Sequence, residues 1–384
     1  MEPVAVVIGD MDLVRPLGLA GITCVAAGPT GAETRWSRYT HGSLDLPDLW
    51  DEPEQTVEVL IEFARRQDQK SVLFYQKDPA LLTISKFREE LGRWFDFIVP
   101  DRDTVEDLVN KERFRQRAQE LGLPTPISVV ATPGSSPAPT DVRFPVIVKP
   151  VLRSRPWEAW RPIAGRAKAV LCKTHAELRE LWDRAEIHGV SLIVQHYVPG
   201  DETTIVSYHV FIDGNGAVIG DFCGRKIRTL PPEFGISTAV EIIDLPDVRS
   251  VGLEVLKAFD FTGVAKVDLK ESPEGELHLL EVNPRFNLWH HPGAMAGVNL
   301  PAAIYAYLTK GTSSRLPAAE SGVTWVQPWG DARAAHAAGL TLTEWLRFVR
   351  RCGARRAFHA NDPGSVLGAV NLGILQMLGV APRQ

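Results

Sequence analysis

Residues 263–285 read GVAKVDLKESPEGELHLLEVNPR, two apolar runs joined by a connector that carries Pro273 and Gly275. Polar residues break both runs at alternate positions: Lys266 and Asp268 in the first, Glu281 and Asn283 in the second. A buried strand has little use for an unpaired charge, because removing it from water is costly. The connector ESPEGE (271–276) suits a hairpin loop. With 273–276 as a four-residue loop, antiparallel pairing sets Asp268 opposite Glu281 and Lys266 opposite Asn283. Side chains alternate along a strand, so these four share one face. Ala265, Val267, Leu280 and Val282 then point to an apolar face. Two carboxylates and an amide oxygen form a hard-oxygen set suited to Mg²⁺, which normally also takes substrate phosphates. An internal salt bridge, Lys266 to Asp268 or Arg285 to Glu281, accounts for the same residues equally well when the strands are taken alone.

The 384 residues suggest two or three domains. A hydrophobic content of 45% and a charged content of 23% are ordinary for a soluble globular chain. The net charge of -5 argues against general polyanion binding, so no nucleic-acid partner is expected. Cys24, Cys172, Cys223 and Cys352 form no CxxC pair, and reduced thiols in a cytoplasmic protein are the default expectation. MEPVAVVIGDMD at the start has no basic leader and reads as a first strand. Near the end, GSVLGAVNLGILQMLGVAP contains four glycines and an asparagine. It falls short of the roughly 20 predominantly apolar residues of a membrane span. A core or interface helix is expected there, with no integral membrane association.

VAVVI (4–8), ITCVAAG (22–28), SVLFY (71–75) and FDFIVP (95–100) read as strands, and helical patterns separate the later ones. Such alternation implies a parallel sheet with crossover helices, a Rossmann-like first domain. It lacks GxGxxG, so dinucleotide binding is unsupported and a dehydrogenase is disfavoured. A helical stretch, 104–123, follows, then the strand FPVIVKP (144–150) and a polar insertion at 152–168. After AVLCK come a helix from His175, the strand SLIVQHYV, strands around IVSYHVFI and AVIGDFC, and the helix VRSVGLEVLKAFD. Beyond Pro301 the chain reads as mostly helical, with loops, to Gln384.

Four stretches in this order, NKERFRQRAQELGLPTP, FPVIVKP, LIVQHYVPGDE and GVAKVDLKESPEGELHLLEVNPR, resemble the ATP-grasp superfamily, specifically its carboxylate-amine ligase branch. CGRKIRTLPPEFGIST (223–238) looks like the linker that such ligases carry before the closing helix. The resemblance covers residues 104–310, and the Rossmann-like unit matches the family's usual leading domain. The implied fold is α/β: a Rossmann-like domain (1–103), a small ATP-grasp subdomain with a linker helix (104–198), a large subdomain with the metal site (199–310), and a mostly helical extension (311–384).

The resemblance also implies roles. Lys111 and Lys149 would contact nucleotide phosphates, as compact cations suit phosphate oxygens. Gln195, His196, Tyr197 and Val198 would form the hinge whose backbone binds adenine, and Glu202 would accept from the ribose hydroxyls. Asp268, Glu281 and Asn283 would hold one or two Mg²⁺ ions, with Mn²⁺ as an acceptable substitute. Arg285 would stabilise the transferring phosphate, with Lys226 and Arg228 as further catalytic cations. The implied activity is ATP-dependent, ADP-forming amide formation between a small carboxylate and an amine through an acyl phosphate. Amino acids, short peptides and amino sugars bearing a carboxylate all suit it, and a homodimer is compatible with it.

Departures from the family pattern leave rival readings. The hinge opens on Gln195 where many relatives have glutamate. The stretch after Lys149 lacks a compact glycine-rich loop and carries Arg153, Arg155, Trp157, Trp160, Arg161 and Arg166 around Gly165. It reads as a mobile lid over the phosphates, and a partner-binding loop is the alternative. His290 or His291 could assist amine deprotonation, since histidine titrates near neutral pH. Structural packing is expected for at least one of the two. The rival functions are another ATP-grasp outcome (thioester formation, carboxylation or phosphorylation of a hydroxyl) and an ATP-binding regulatory protein without turnover.

Overall fold

Short runs of Val, Ala and Phe build the first sheet of the computed structural model, which describes residues 2–134, 138–151, 156–165, 167–356 and 362–368, with backbone alone at 156–158. Its parallel strands are β1 (Ala5–Ile8), β2 (Cys24–Gly28), β3 (Thr40–Asp45), β4 (Ser71–Tyr75) and β5 (Phe95–Asp96), in the order β3-β2-β1-β4-β5. β1, β2 and β4 are buried almost throughout, which is why continuous apolar runs announced them. The polar edge strand β3, THGSLD, is largely exposed and gave no such signal. The expected strand 95–100 ends after Asp96.

A four-stranded sheet forms a small lobe from β6 (Ser128–Ala131), β7 (Val146–Pro150), β8 (Val170–Cys172) and β9 (Leu192–His196), in the order β6-β9-β7-β8. Its core joins Val146, Val148 and Val194 to Leu178, Leu181 and Trp182 of the helix His175–Ile187. The insertion after Lys149 contributes the helix Pro156–Ala164 to the same core. Trp160 is fully buried there, and its Nε1 donates to the Ala167 carbonyl at 2.8 Å. This tryptophan anchors the small lobe and contributes nothing to a lid. Arg153, Arg155, Arg166 and the side chain of Trp157 lie outside the described residues.

The large sheet contains β10 (Ile205–Ile212), β11 (Val218–Leu230), β12 (Ile236–Ile242), β13 (Gly263–Glu271), β14 (Leu277–Asn283), β15 (Thr324–Val326) and β16 (Ala354–Arg355). Their order is β14-β13-β10-β11-β12-β15-β16. Two readings change here. The supposed linker 223–238 is the end of β11, a turn and the start of β12. The segment after 311 is only partly helical: β15 and β16 extend the sheet beyond β12. The helical stretch 104–123 divides into Arg102–Val109 and Lys111–Glu120, because the Asn110 side chain caps the second by accepting from the N–H groups of Glu112 and Arg113.

One core ties the first domain to the large sheet. Val7, Val72 and Phe74 pack with Phe222, Val240, Val264 and Trp325, and with Phe286 and Trp289 between them. The sheet's other face buries Val206, Tyr208, Ala265, Val267 and Leu269 beneath the helix Pro246–Ala258. The cavity lies where the small lobe, the large sheet and the helix Lys111–Glu120 meet.

Candidate active site

The register of β13 and β14 is the one expected, with Asp268 opposite Glu281 and Lys266 opposite Asn283. The loop is one residue longer, 272–276, since Glu271 pairs with Leu277. A bulge at Leu280 restores the phase, and Leu269 then pairs with Leu279. Leu279 is fully buried in the apolar core, Leu280 is only half-buried, and both border the cavity, contrary to the strict alternation expected.

Lys111, Lys149, Gln195, His196, Tyr197 and Val198 line one side of a cavity of about 270 Å³. Lys226, Asp268, Glu281 and Asn283 line the large-sheet side. Lys149 follows from the strand pattern: Val146, Val148 and Pro150 are buried, while Ile147 and Lys149 face the cavity. The Lys111 ammonium donates to the Pro150 carbonyl at 2.8 Å, which joins the helix Lys111–Glu120 to the end of β7. In the hinge, the His196 and Tyr197 N–H groups donate to Ile127 and Pro145 at 2.8 and 3.2 Å.

Asp268 is buried, accepts from the Ser207 hydroxyl at 2.5 Å and pairs with the Lys266 ammonium at 2.7 Å. One of the two salt bridges anticipated is therefore formed. The other is not, because Arg285 turns to Asp78 of the first domain, with Nε to Oδ1 at 2.5 Å. Its remaining nitrogens donate to the Gln76 carbonyl at 3.2 Å and to Asn283 Oδ1 at 3.3 Å. Glu281 is reached by solvent through the cavity yet walled by protein, and it accepts from the Asn283 amide at 3.1 Å. Burial opposes its charge. Lys168, then Lys266, the Asn283 amide and Lys149 outweigh burial and hold the carboxyl far below the usual carboxylate range. Burial, opposed by Asp268 and aided by Lys266 and Lys168, brings Lys226 down to about 8.

Three predicted residues do not line the cavity. Glu202 sits beside the lining residue Asp201, and its carboxylate accepts from the Glu233 N–H at 3.2 Å. Arg285 lies just beyond the lining residues Asn283 and Pro284, paired as above. Arg228 is turned away altogether. Alternation would put it on the face of Lys226, but Ile227 is an extra residue in β11 and reverses the phase. Its guanidinium is buried against Asp331, with two bonds of 2.8 and 2.7 Å, and stacks on Phe348. Arg228 is thus placed as a structural ion pair, contrary to the catalytic position expected.

His290 and His291 are also away from the cavity, and both are completely buried. Burial depresses His290 to about 3 and His291 well below its ordinary value. His290 packs on Phe286 and His209, and His291 faces Asp12 at 3.3 Å. Neither is placed to take a proton from an amine.

The sequence reading missed Lys168, Lys270, Asp78, Ser207 and the Glu233–Gly235 turn. Lys270 continues the alternation of Lys266 and Asp268, so the strand period alone could have found it. It donates to the Gly200 carbonyl at 2.7 Å and lies over the Tyr197 ring. Asp78 and Ser207 enter from elements distant in sequence, for which no local signal exists.

Asp268, Glu281 and Asn283 fit a hard cation by their donor chemistry. No group of three or more His, Cys, Asp or Glu among the described residues forms a closed metal cage. Two carboxylates and an amide oxygen are too few for an all-protein site and suit an ion that also takes substrate oxygens.

The fold is that of the ATP-grasp ligases among the solved structures. No protein-family profile matches the chain. The solved N5-carboxyaminoimidazole ribonucleotide synthetase in complex with ADP superposes with a TM-score of 0.64 at 13% identity, over 84% of this chain and 81% of that one. An L-amino acid ligase from Bacillus licheniformis superposes with a TM-score of 0.61 at 16% identity, over 81% and 74%. In sequence, the chain is 26% identical over 270 residues to the D-aspartate ligase of Enterococcus faecium (strain Aus0004), covering 66% of this chain. It spans 63% of that relative's length. The chain is thus similar to ligases of the carboxylate-amine branch of the ATP-grasp superfamily.

Proposed function

We propose that the protein is an ATP- and Mg²⁺-dependent, ADP-forming ligase that joins a small carboxylate to an amine. The observation that carries this reading is the opposed pair Asp268 and Glu281, with Asn283, on one wall of a cavity whose other wall presents Lys111, Lys149 and the hinge Gln195–Val198. The D-aspartate ligase and L-amino acid ligase likenesses support an amino acid as one reactant. The ADP-bound neighbour supports a nucleotide in the cavity.

Lys111 and Lys149 bind nucleotide phosphates. Since the His196 and Tyr197 N–H groups are engaged, the Val198 N–H is the hinge donor assigned to adenine. Glu202 takes the ribose hydroxyls from the rim. Asp268, Glu281 and Asn283 would hold Mg²⁺, or Mn²⁺ through the same oxygens, and Lys266 pairs with Asp268 beside them. The ion supplies charge neutralisation on phosphate oxygens. Arg285, aligned by Asp78, faces the developing charge at the edge of the site. A substrate carboxylate oxygen attacks the γ-phosphorus, the bond to the β–γ bridging oxygen breaks, and ADP leaves with the electron pair. The amine then attacks the acyl carbon and expels phosphate, giving the amide, and its surplus proton passes to solvent.

In this reading residues 1–103 align Arg285, 104–198 carry the phosphate and adenine contacts, and 199–310 carry the metal ligands. Residues beyond 311 complete the large sheet through β15 and β16. Four separate, buried thiols suit a cytoplasmic location. No helix among the described residues is long and apolar enough to cross a membrane.

The test is phosphate release from ATP and Mg²⁺ against a panel of amino acids, dipeptides and small dicarboxylic acids, with Glu281→Gln as control. Release that needs both an acid and an amine, and is lost in the variant, supports the ligase. Release with an acid alone, without amide, overturns it.

A further inference from the structure

Lys168 is among the cavity cations that have no task in the assignments above. Lys168 lines the cavity just before β8, at the end of the insertion that follows Lys149. Its backbone N–H donates to the Phe234 carbonyl at 2.9 Å. Phe234 lies in the turn between β11 and β12 and also lines the cavity, so this bond joins the small lobe to the large sheet. The tie is made by the main chain, which leaves the ammonium for other work. Lys168 shares the cavity lining with Lys149 on the small-lobe side and with Lys226, Asp268 and Glu281 on the large-sheet side.

The charge balance points to what belongs there. Lys149, Lys168 and Lys226 line this part of the cavity together with the carboxylates Asp268 and Glu281, and Lys266 already pairs with Asp268. A cation held by those carboxylates would enlarge the positive surplus. Grouped, partly desolvated ammonium groups repel one another, and an anion with several oxygens relieves the repulsion. Lys111 and Lys149 serve the nucleotide from the small-lobe side in the reading above. Lys168 and Lys226 remain for an anion that forms between nucleotide and substrate.

We propose that Lys168 is a further catalytic residue, which together with Lys226 holds the phosphoryl group as it passes from ATP to the substrate carboxylate. The assignment rests on the ligase reading. In the step concerned, the carboxylate oxygen bonds to the γ-phosphorus while its bond to the bridging oxygen breaks. ADP takes the electron pair, no proton moves, and Lys168 donates to oxygens that stay on the transferring phosphorus.

The test compares ADP with the β,γ-imido analogue of ATP, each with Mg²⁺, by calorimetric titration of wild type, Lys168→Ala and Lys168→Arg. A lost charged hydrogen bond is worth roughly tenfold in affinity. Lys168→Ala is expected to bind the analogue about tenfold more weakly and ADP within about twofold of wild type. Lys168→Arg is expected to recover part of the loss, and thermal midpoints are expected to stay unchanged because the Phe234 tie uses the backbone. Where Lys168→Ala is unstable, Lys168→Met, which keeps the stem, serves in its place. Equal weakening of both nucleotides, or of neither, overturns the assignment. A wild type that binds neither nucleotide overturns the ligase reading itself, whereas wild-type binding with an unaltered variant removes only the role of Lys168.

Discussion

Asp268 and Glu281 face each other across β13 and β14, yet they are restrained differently: Lys266 and Ser207 hold Asp268, whereas Asn283 hydrogen-bonds Glu281 from within its own strand. Glu281 also keeps its charge against burial, through Lys168, Lys266 and Lys149. Glu281→Gln leaves the shape intact and removes the charge. Phosphate release with a working acid–amine pair is expected to fall about 100-fold or more. Asp268→Asn should do the same while also freeing Lys266. Activity near wild type in both variants would remove these carboxylates from the mechanism.

Lys149 reaches the cavity from β7, whose alternate residues are buried in the small lobe. Lys149→Ala deletes a charged phosphate contact worth about 2 kcal/mol, so ADP affinity should drop roughly thirtyfold. The strand itself keeps its packed residues. Calorimetric titration with MgADP checks this, and unchanged affinity would place the phosphates elsewhere.

Arg228 and Asp331 predict a stability effect with little effect on chemistry. Asp331 accepts from Arg228 twice, from the Thr238 hydroxyl at 2.9 Å and from Trp345 Nε1 at 3.1 Å, and it is fully buried. Asp331→Ala strands a buried guanidinium, which costs about 3–5 kcal/mol. Urea unfolding should show that loss. Turnover per folded molecule should stay within about threefold of wild type, since the pair lies outside the cavity.

Asp12 sets a pH dependence. It is fully buried beside His291, Trp325 and Arg356, and burial together with Asp10 pushes its carboxyl up to about 7 against Arg356, Trp325 and Arg15. Below pH 4 Asp12 is protonated in both folded and unfolded chains and adds no penalty. Between about pH 4 and 7 the unfolded chain ionises while the fold keeps its proton, so stability falls as pH rises, by an amount on the order of 4 kcal/mol, and then levels off. Asp12→Asn keeps the carbonyl that accepts from Trp325 and lacks this fall. Its stability relative to wild type should increase from pH 4 to pH 8. A constant difference across that range would show that Asp12 is ionised throughout.

The local signals in the sequence were sufficient for β13 and β14. Strict alternation around a Pro-Gly connector determined which residues of β13 and β14 face each other, and a shifted loop was compensated by the bulge at Leu280. Lys149 and the hinge were legible for a similar reason, as each sits at the end of an apolar strand. The errors came where local periodicity is interrupted or contacts are distant. Ile227 reverses the phase of β11, so Arg228 leaves the cavity face without changing a single motif. His290 and His291 stand near β14 in sequence but are buried against the core shared with the first domain. The strands β15 and β16 are three and two residues long, too short for a pattern, and form because an edge of the large sheet was left to pair.

Product stoichiometry tests the central claim most directly. Wild-type protein would be supplied with ATP, Mg²⁺ and the acid–amine pair that supports phosphate release, and ADP, AMP and amide would be quantified by mass spectrometry. The account predicts ADP and amide in equal amounts, no AMP, and loss of both products in Glu281→Gln. AMP formation, or ATP cleavage without amide, would contradict it.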